Sequence, residues 1–312
     1  MEPAAESSAF ATNLPTTQQE SERVKTLMKS RNAPSSHPEH CLDCGQTISG
    51  HYCANCGQET TAHTLTMREL ARDAVGEFVS TDSKFFRTLR KLLFSPGALT
   101  ADYIAGRRER YLMPSRMFLV LSVIFFFVLS LTQSLIQVPF SENVITMTFE
   151  KGEIQAAFQA SGLSQEMFLE KLDSAFTAAL PIMLLLMVPL FAGVMRLINL
   201  TSGYRFIVHL VFSFHLFSFV AAATVVAFGV LVLLGLVAMV AGEEAMDVLA
   251  VILMSVVAIY LPIYSMIALR KVYDYSWLGV FIETVVLFVV GGVIGVAYLS
   301  MVAGFALGFV GQ

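Results

Sequence analysis

At 312 residues, with 55% hydrophobic side chains and a mean hydropathy of +0.67, the chain is too apolar for an ordinary soluble domain. Its formal net charge of −4 hides an uneven split: 14 of the 20 Lys and Arg precede residue 119, where 13 Asp and Glu nearly balance them. That local balance argues against nucleic-acid binding. The first 40 residues have no apolar core and show no signal peptide, so the first spanning helix is expected to act as the insertion signal.

In chain order, residues 1–38 are rich in Ser, Thr, Pro, Glu and Gln and poor in large apolar side chains. They cannot bury enough surface to offset ordering entropy, which reads as a disordered tail. Residues 39–60 hold all four cysteines, as Cys41-x2-Cys44 and Cys53-x2-Cys56, and a glycine follows each pair, Gly45 and Gly57. This spacing lets one tight turn aim two thiolates at one metal, with the glycine supplying the positive φ that such a turn often needs. The expected cofactor is a structural zinc ion held by Cys41, Cys44, Cys53 and Cys56 in a very short ribbon. A four-cysteine shell leaves no open position for catalysis, and a segment this small cannot fold without its metal. Redox-active CxxC pairs and a disulfide staple are the competing readings. His51 and His63 stand beside a shell that is already full.

Residues 61–116 read as amphipathic and juxtamembrane helices. Apolar positions in 65–79 recur near a helical period. In 82–94, Phe85, Phe86, Leu89, Leu92 and Leu93 are expected on one face and Lys84, Arg87, Arg90 and Lys91 on the other. Such a basic helix suits an anionic headgroup layer, or else packs on the ribbon or the membrane domain. Ser95-Pro96-Gly97 stops it, and a second helix is expected from Ser95 and Pro96 to about Ala105. The stretch from Asp102 to Phe118 then sets Arg107, Arg108, Arg110 and Arg116 against the first long apolar run, the composition of a segment at a membrane surface.

Residues 117–312 form the transmembrane domain, with spans expected at 117–136, 178–198, 207–238, 248–269 and 279–310. The fold class is therefore mainly α, a polytopic helical membrane protein with about five spans and an N-terminal ribbon. Pro181 and Pro189 predict a kink in the second span. Gly291, Gly292 and Gly295 would let another helix approach the last. Basic residues flank the N-terminal approach and the second-to-third and fourth-to-fifth loops, while acidic residues fill the other two loops. That alternation places the N-terminus and ribbon in the cytoplasm and the C-terminus outside. A cytoplasmic ribbon is a reduced one, which favours zinc over disulfides. Within the spans, His209, His215 and Glu283 are the ionisable residues that need explaining. They suggest an intramembrane polar site, or histidines that only stabilise helix packing. Arg270, Lys271, Tyr273, Tyr275 and Trp277 read as an interfacial anchor.

The run CxxCG…G-x-YCxxCGQ from Cys41 to Gln58, the G-x-R-x-R-Y-x-x-P stretch from Gly106 to Pro114, and the His209-x5-His215 span together resemble an uncharacterised bacterial family, a domain of unknown function. Its members look like a short zinc ribbon joined to several transmembrane helices, and the resemblance covers about residues 40–290. It implies a bacterial inner-membrane protein with the four cysteines as zinc ligands, and it implies no activity. Three functions follow for testing. One is a membrane-anchored interaction, regulatory or assembly module that recruits a protein partner through the ribbon. The second is a small transporter or channel using His215, for which a dimer would supply the symmetry that five helices lack. The third is an intramembrane enzyme acting on lipid. The expected partners are the bilayer, an unidentified protein and a second copy of the chain, with no nucleic acid.

Overall fold

The long apolar runs form helices because a backbone out of reach of water must satisfy its own N–H and C=O groups. The computed structural model describes residues 40–59, 82–136, 149–200, 203–241, 243–273 and 275–310. The expected disordered tail over 1–38 and the helix over 65–79 lie outside the described residues. Eight helices are described: α1 (Asp82–Phe94), α2 (Ala98–Ile104), α3 (Pro114–Ile136), α4 (Lys151–Ser161), α5 (Gln165–Ile198), α6 (Phe206–Ala241), α7 (Glu243–Tyr273) and α8 (Trp277–Val310).

Among the described residues, four helices are long and apolar enough to cross a membrane: α3 over Pro114–Leu131, α5, α6 over Phe206–Val230, and α8. The expected span 248–269 falls within α7, a 31-residue helix whose side chains at 243–251, 253, 254 and 257 lie outside the described residues. Two boundaries differ from expectation. The acidic loop expected between the first two spans is helical over most of its described part, as α4 and the first turns of α5. Gly162 ends α4 in the left-handed region at φ 62°, and the Ser164 hydroxyl accepts the Met167 N–H to begin α5. Pro181 and Pro189 lie inside α5 without ending it.

α6 is the central element. It is apolar nearly all round, the pattern of a buried helix, and its first five turns bury Ile207 to Phe212, Leu216, Phe219 and Ala222. It packs against α3, α5 and α7 along its length and receives α1 and α2 near its start. A second core lies at the far end of the bundle. There Phe168, Leu172, Phe176 and Leu180 of α5 meet Val302, Ala303, Ala306 and Leu307 of α8, with α4 packed beside them. Outward-facing residues such as Ile182, Leu186 and Leu190 on α5 and Phe281, Val289, Val293 and Val296 on α8 are exposed and apolar. A face of that kind suits acyl chains.

The short helices α1 and α2 fold as a hairpin against α6 and α7. Gly97, at the turn, has φ 70°, and a Cβ there would lie 2.8 Å from the Ala268 carbonyl oxygen, so only glycine permits this approach. It stands at the N-cap of α2, where Ser95 had been expected. The Tyr264 and Tyr260 hydroxyls donate to the Leu92 and Leu93 carbonyls, each at 2.7 Å. They satisfy acceptors that the end of α1 leaves without intrahelical partners.

A candidate metal centre docked on the arginine loop

The two cysteine pairs form two copies of one knuckle. In the first, the Cys41 N–H donates to the Gln46 carbonyl at 2.8 Å and the Gly45 N–H to the Cys41 carbonyl at 2.9 Å. In the second, Cys53 donates to Gln58 and Gly57 to Cys53, both at 2.8 Å. Gly45 and Gly57 have φ of 76° and 77°, the left-handed conformation the spacing implied. Isolated bridges pair His40 with Thr47 and Tyr52 with Glu59 across the two turns.

All four cysteines are free thiols. Cys41 and Cys56 sulfurs are 3.5 Å apart, as are those of Cys44 and Cys53, and all four sulfurs lie within 4.8 Å of one another. A tetrahedral ion with bonds of about 2.3 Å to sulfur separates its ligands by about 3.8 Å. The donor set therefore fits a metal ion. The Gln46 backbone N–H holds the Cys44 thiol down to about 6, while burial pushes Cys41 and Cys56 up. Four sulfurs so close repel as thiolates, and a divalent cation is the natural compensation. His51 does not enter the cluster.

The ribbon rests on the loop between α2 and α3. Arg110 donates from Nε to Asp43 Oδ1 at 2.8 Å and from Nη2 to the Asp43 carbonyl. Asp43 lies between the ligands Cys41 and Cys44, so the first knuckle and the arginine position each other. Gln58, which closes the second knuckle, donates from Nε2 to the Gly106 carbonyl at 2.6 Å. Gly106 has φ 86°, and a Cβ there would lie 2.9 Å from Leu42 Cδ1. Two of the three motifs quoted for the family resemblance, the cysteine run and the Gly106–Pro114 stretch, thus touch each other in the folded chain.

Beneath the ribbon, Asp102 collects two cations. Lys91 donates to its Oδ2, and Arg107 donates to Oδ1 from Nε at 3.1 Å and Nη2 at 2.7 Å. Lys91 also donates to the Tyr111 hydroxyl at 2.7 Å. Burial pushes the Asp102 carboxyl up, but hydrogen bonds from Lys91 and Arg107 prevail and hold it below the usual range. Burial likewise pulls Lys91 down, and its bonds to Asp102 and Tyr111 prevail to raise it. Lys84 pairs with Glu109 at 2.9 Å. Thr88 is buried, donating to the Lys84 carbonyl and accepting the Leu112 N–H at 3.0 Å.

These contacts divide the eight cations expected at a lipid surface. Lys84, Lys91, Arg107 and Arg110 have acidic partners within the protein. Arg108 lies over the Tyr103 ring at 5.1 Å, Arg116 is half-buried on the first turn of α3, and Arg87 and Arg90 are exposed. The faces of α1 also differ from expectation. Its inner face centres on Thr88 and Leu92, with Lys84 and Lys91 at one edge, and Phe86 joins Arg87 and Arg90 on the outer side. A hydroxyl that serves two backbone groups can be buried where the pattern shows only polarity. Asp43 and Thr88 carry no signal of their own in the sequence, and Gln58 and Asp102 stand there only as the ends of motifs, without their partners. The usable signals were the Gly-Gln ending shared by both knuckles and the near balance of acids against arginines.

His215 stands apart from His209 and Glu283, which flank one cluster in which Tyr273 stacks on Tyr275 at 5.9 Å. His215 Nδ1 is 2.9 Å from Thr100 Oγ1, joining α6 to α2. His209 Nδ1 is 2.8 Å from the Tyr273 hydroxyl, joining α6 to the end of α7, and its buried Nε2 has no hydrogen-bond partner among the described residues. Glu283 accepts from Asn199 Nδ2 at 2.7 Å, and the Tyr275 hydroxyl donates to Asn199 Oδ1. Arg270 lies over the Trp277 ring, 3.8 Å from its centroid, while Tyr273 is buried. Among the described residues nothing lies within 4 Å of where a Cβ would stand on Gly292 or Gly295, and at Gly291 the Phe191 ring of α5 comes to 3.9 Å.

Residues 82–126 match a family described as a protein of unknown function, DUF3667. The match runs from α1 through α2 and the arginine loop into α3, which is the platform for the ribbon. No curated protein and no solved structure matches the chain.

Proposed function

We propose that this is a multi-pass protein of the bacterial inner membrane, whose cytoplasmic ribbon binds zinc and serves as an interaction or assembly module. The observation that carries this reading is the dock. Asp43 and Gln58, one from each knuckle, hold Arg110 and Gly106 of the loop that leads into the first spanning helix. A closed four-sulfur shell suits a shape-holding ion rather than a catalytic one. The ion would fold the ribbon, and the ribbon would present its outer surface to a partner at a fixed position on the membrane domain. Cys44 and Cys56 are only partly buried, and Tyr52 is exposed, which leaves that surface accessible. Basic residues at the ribbon end, Arg196, Arg205, Arg270 and Lys271, and acidic residues at the other end support a cytoplasmic ribbon.

The test combines metal analysis with partner capture. Detergent-purified protein should carry about one zinc per chain with four reduced thiols. Cys44→Ser should lose the metal and the crosslinked partners while remaining inserted. A folded, inserted Cys44→Ser protein that keeps every partner would end the ribbon-recruitment reading, and a protein free of zinc with oxidised cysteines would end the zinc reading.

A further inference from the structure

The outward face of α1 has the chemistry of a lipid leaflet. Successive residues of a helix are about 100° apart, which places Phe86, Arg90, Phe94 and Arg87 within one arc of about 100°. All four are exposed, Phe86 at 66% and Phe94 at 76%. On the opposite side Thr88 and Leu92 are buried against the bundle. The neighbouring cations Lys84 and Lys91 are paired with Glu109 and Asp102, whereas Arg87 and Arg90 have no acidic partner among the described residues.

The position of the hairpin identifies the occupant. Thr100 meets His215, the tenth residue of α6, which lies about 14 Å along that helix from its first residue. Gly97 packs on Ala268, and Tyr264 and Tyr260, nine and thirteen residues before the end of α7, bond the carbonyls of Leu92 and Leu93. The hairpin tip therefore lies alongside the long helices, below their ribbon-side ends. A non-helical turn is tolerated at such depth where protein buries it and meets its polar groups. Next to the tip, α7 exposes Ile259, Ile263 and Ile267, and Phe94 at the end of α1 is exposed as well.

We propose that α1 and α2 form a re-entrant hairpin in the ribbon-side leaflet, and that Phe86, Arg87, Arg90 and Phe94 form a binding surface for acidic phospholipid. The two rings enter the acyl region, and the guanidinium groups reach up to the phosphate, where their fork matches its oxygens. This rests on the membrane-spanning reading and not on the metal.

Two measurements on the full-length protein in lipid nanodiscs test it. The chain has one tryptophan, Trp277, so Phe94→Trp in a Trp277→Phe background gives a single reporter at the tip. Phosphatidylcholine brominated on its acyl chains should quench that reporter severalfold. Arg87→Gln with Arg90→Gln should lower co-purified phosphatidylglycerol severalfold relative to phosphatidylcholine, and the Lys pair should keep most of it. An unquenched reporter would overturn the proposal. Unchanged phosphatidylglycerol in the Gln pair would overturn the headgroup contact. Unaltered metal content in each variant separates these outcomes from failure of the ribbon.

Discussion

Glycines at two positions bear unequal loads, although the sequence presents them alike. At Gly97 an added Cβ meets the backbone of Ala268, which cannot move without shifting α7. At Gly106 it meets the flexible end of Leu42. Both also require positive φ, which costs about 1 kcal/mol for alanine. Gly97→Ala should therefore destabilise by about 3 kcal/mol or more, and Gly106→Ala by about 1–2 kcal/mol. Thermal unfolding in detergent should rank them in that order, and equal losses would contradict the packing described. Asp102 makes a second prediction at this scale. Its folded carboxyl binds a proton less tightly than the ordinary value of 3.8, so the folded state holds fewer protons than the unfolded state. Its contribution is fully present above pH 4 and is lost as pH falls through the lowered folded value. Asp102→Asn should remove this acid-dependent loss and cost about 2 kcal/mol near neutrality, because Lys91 and Arg107 lose their counter-charge.

The hairpin of α1 and α2 is held less by its own propensity than by groups from elsewhere. Seven residues are too few for α2 to be stable alone. Tyr264 and Tyr260 close the end of α1, Thr88 anchors the start of α3 through Leu112, and His215 ties down Thr100. Thr88→Val preserves shape and leaves the buried Leu112 N–H without an acceptor, so a loss of about 1–3 kcal/mol is expected. Tyr260 is more exposed than Tyr264, so water or headgroups can replace its bond. Tyr264→Phe should then cost more than Tyr260→Phe, measured by denaturation of the purified protein. The reverse order would place the hairpin elsewhere.

At the scale of the whole molecule, the ribbon and the bundle have separate sources of stability. The bundle rests on two apolar cores, while residues 40–59 bury little besides Cys41, Cys53 and Asp43. Removing the metal should therefore unfold the ribbon and leave the helices intact. With a chelator, trypsin should cleave after Arg107, Arg108 and Arg110 about tenfold faster or more, since the dock covers that loop in the folded form. Far-ultraviolet circular dichroism should change little. Loss of helical signal along with the metal would mean that the ribbon nucleates the bundle rather than resting on it.

Long-period hydrophobicity and the cysteine spacing determined most of the architecture without reference to the fold. A helix must be apolar over its whole crossing, and CxxCG is a local turn whose geometry needs no distant contact. Those signals located α3, α5, α6 and α8 to within a few residues, apart from the early start of α5. Tertiary structure alone decided which polar groups meet. The pairing of Asp43 with Arg110 and of Asp102 with Lys91 and Arg107, and the separate partners of His209, His215 and Glu283, depend on contacts whose partners lie up to 115 residues apart. Charge pattern along a chain reports how many opposite charges are available. Only packing determines which of them are brought within hydrogen-bond distance, and on α1 it turned half of an apparent lipid-facing array inward.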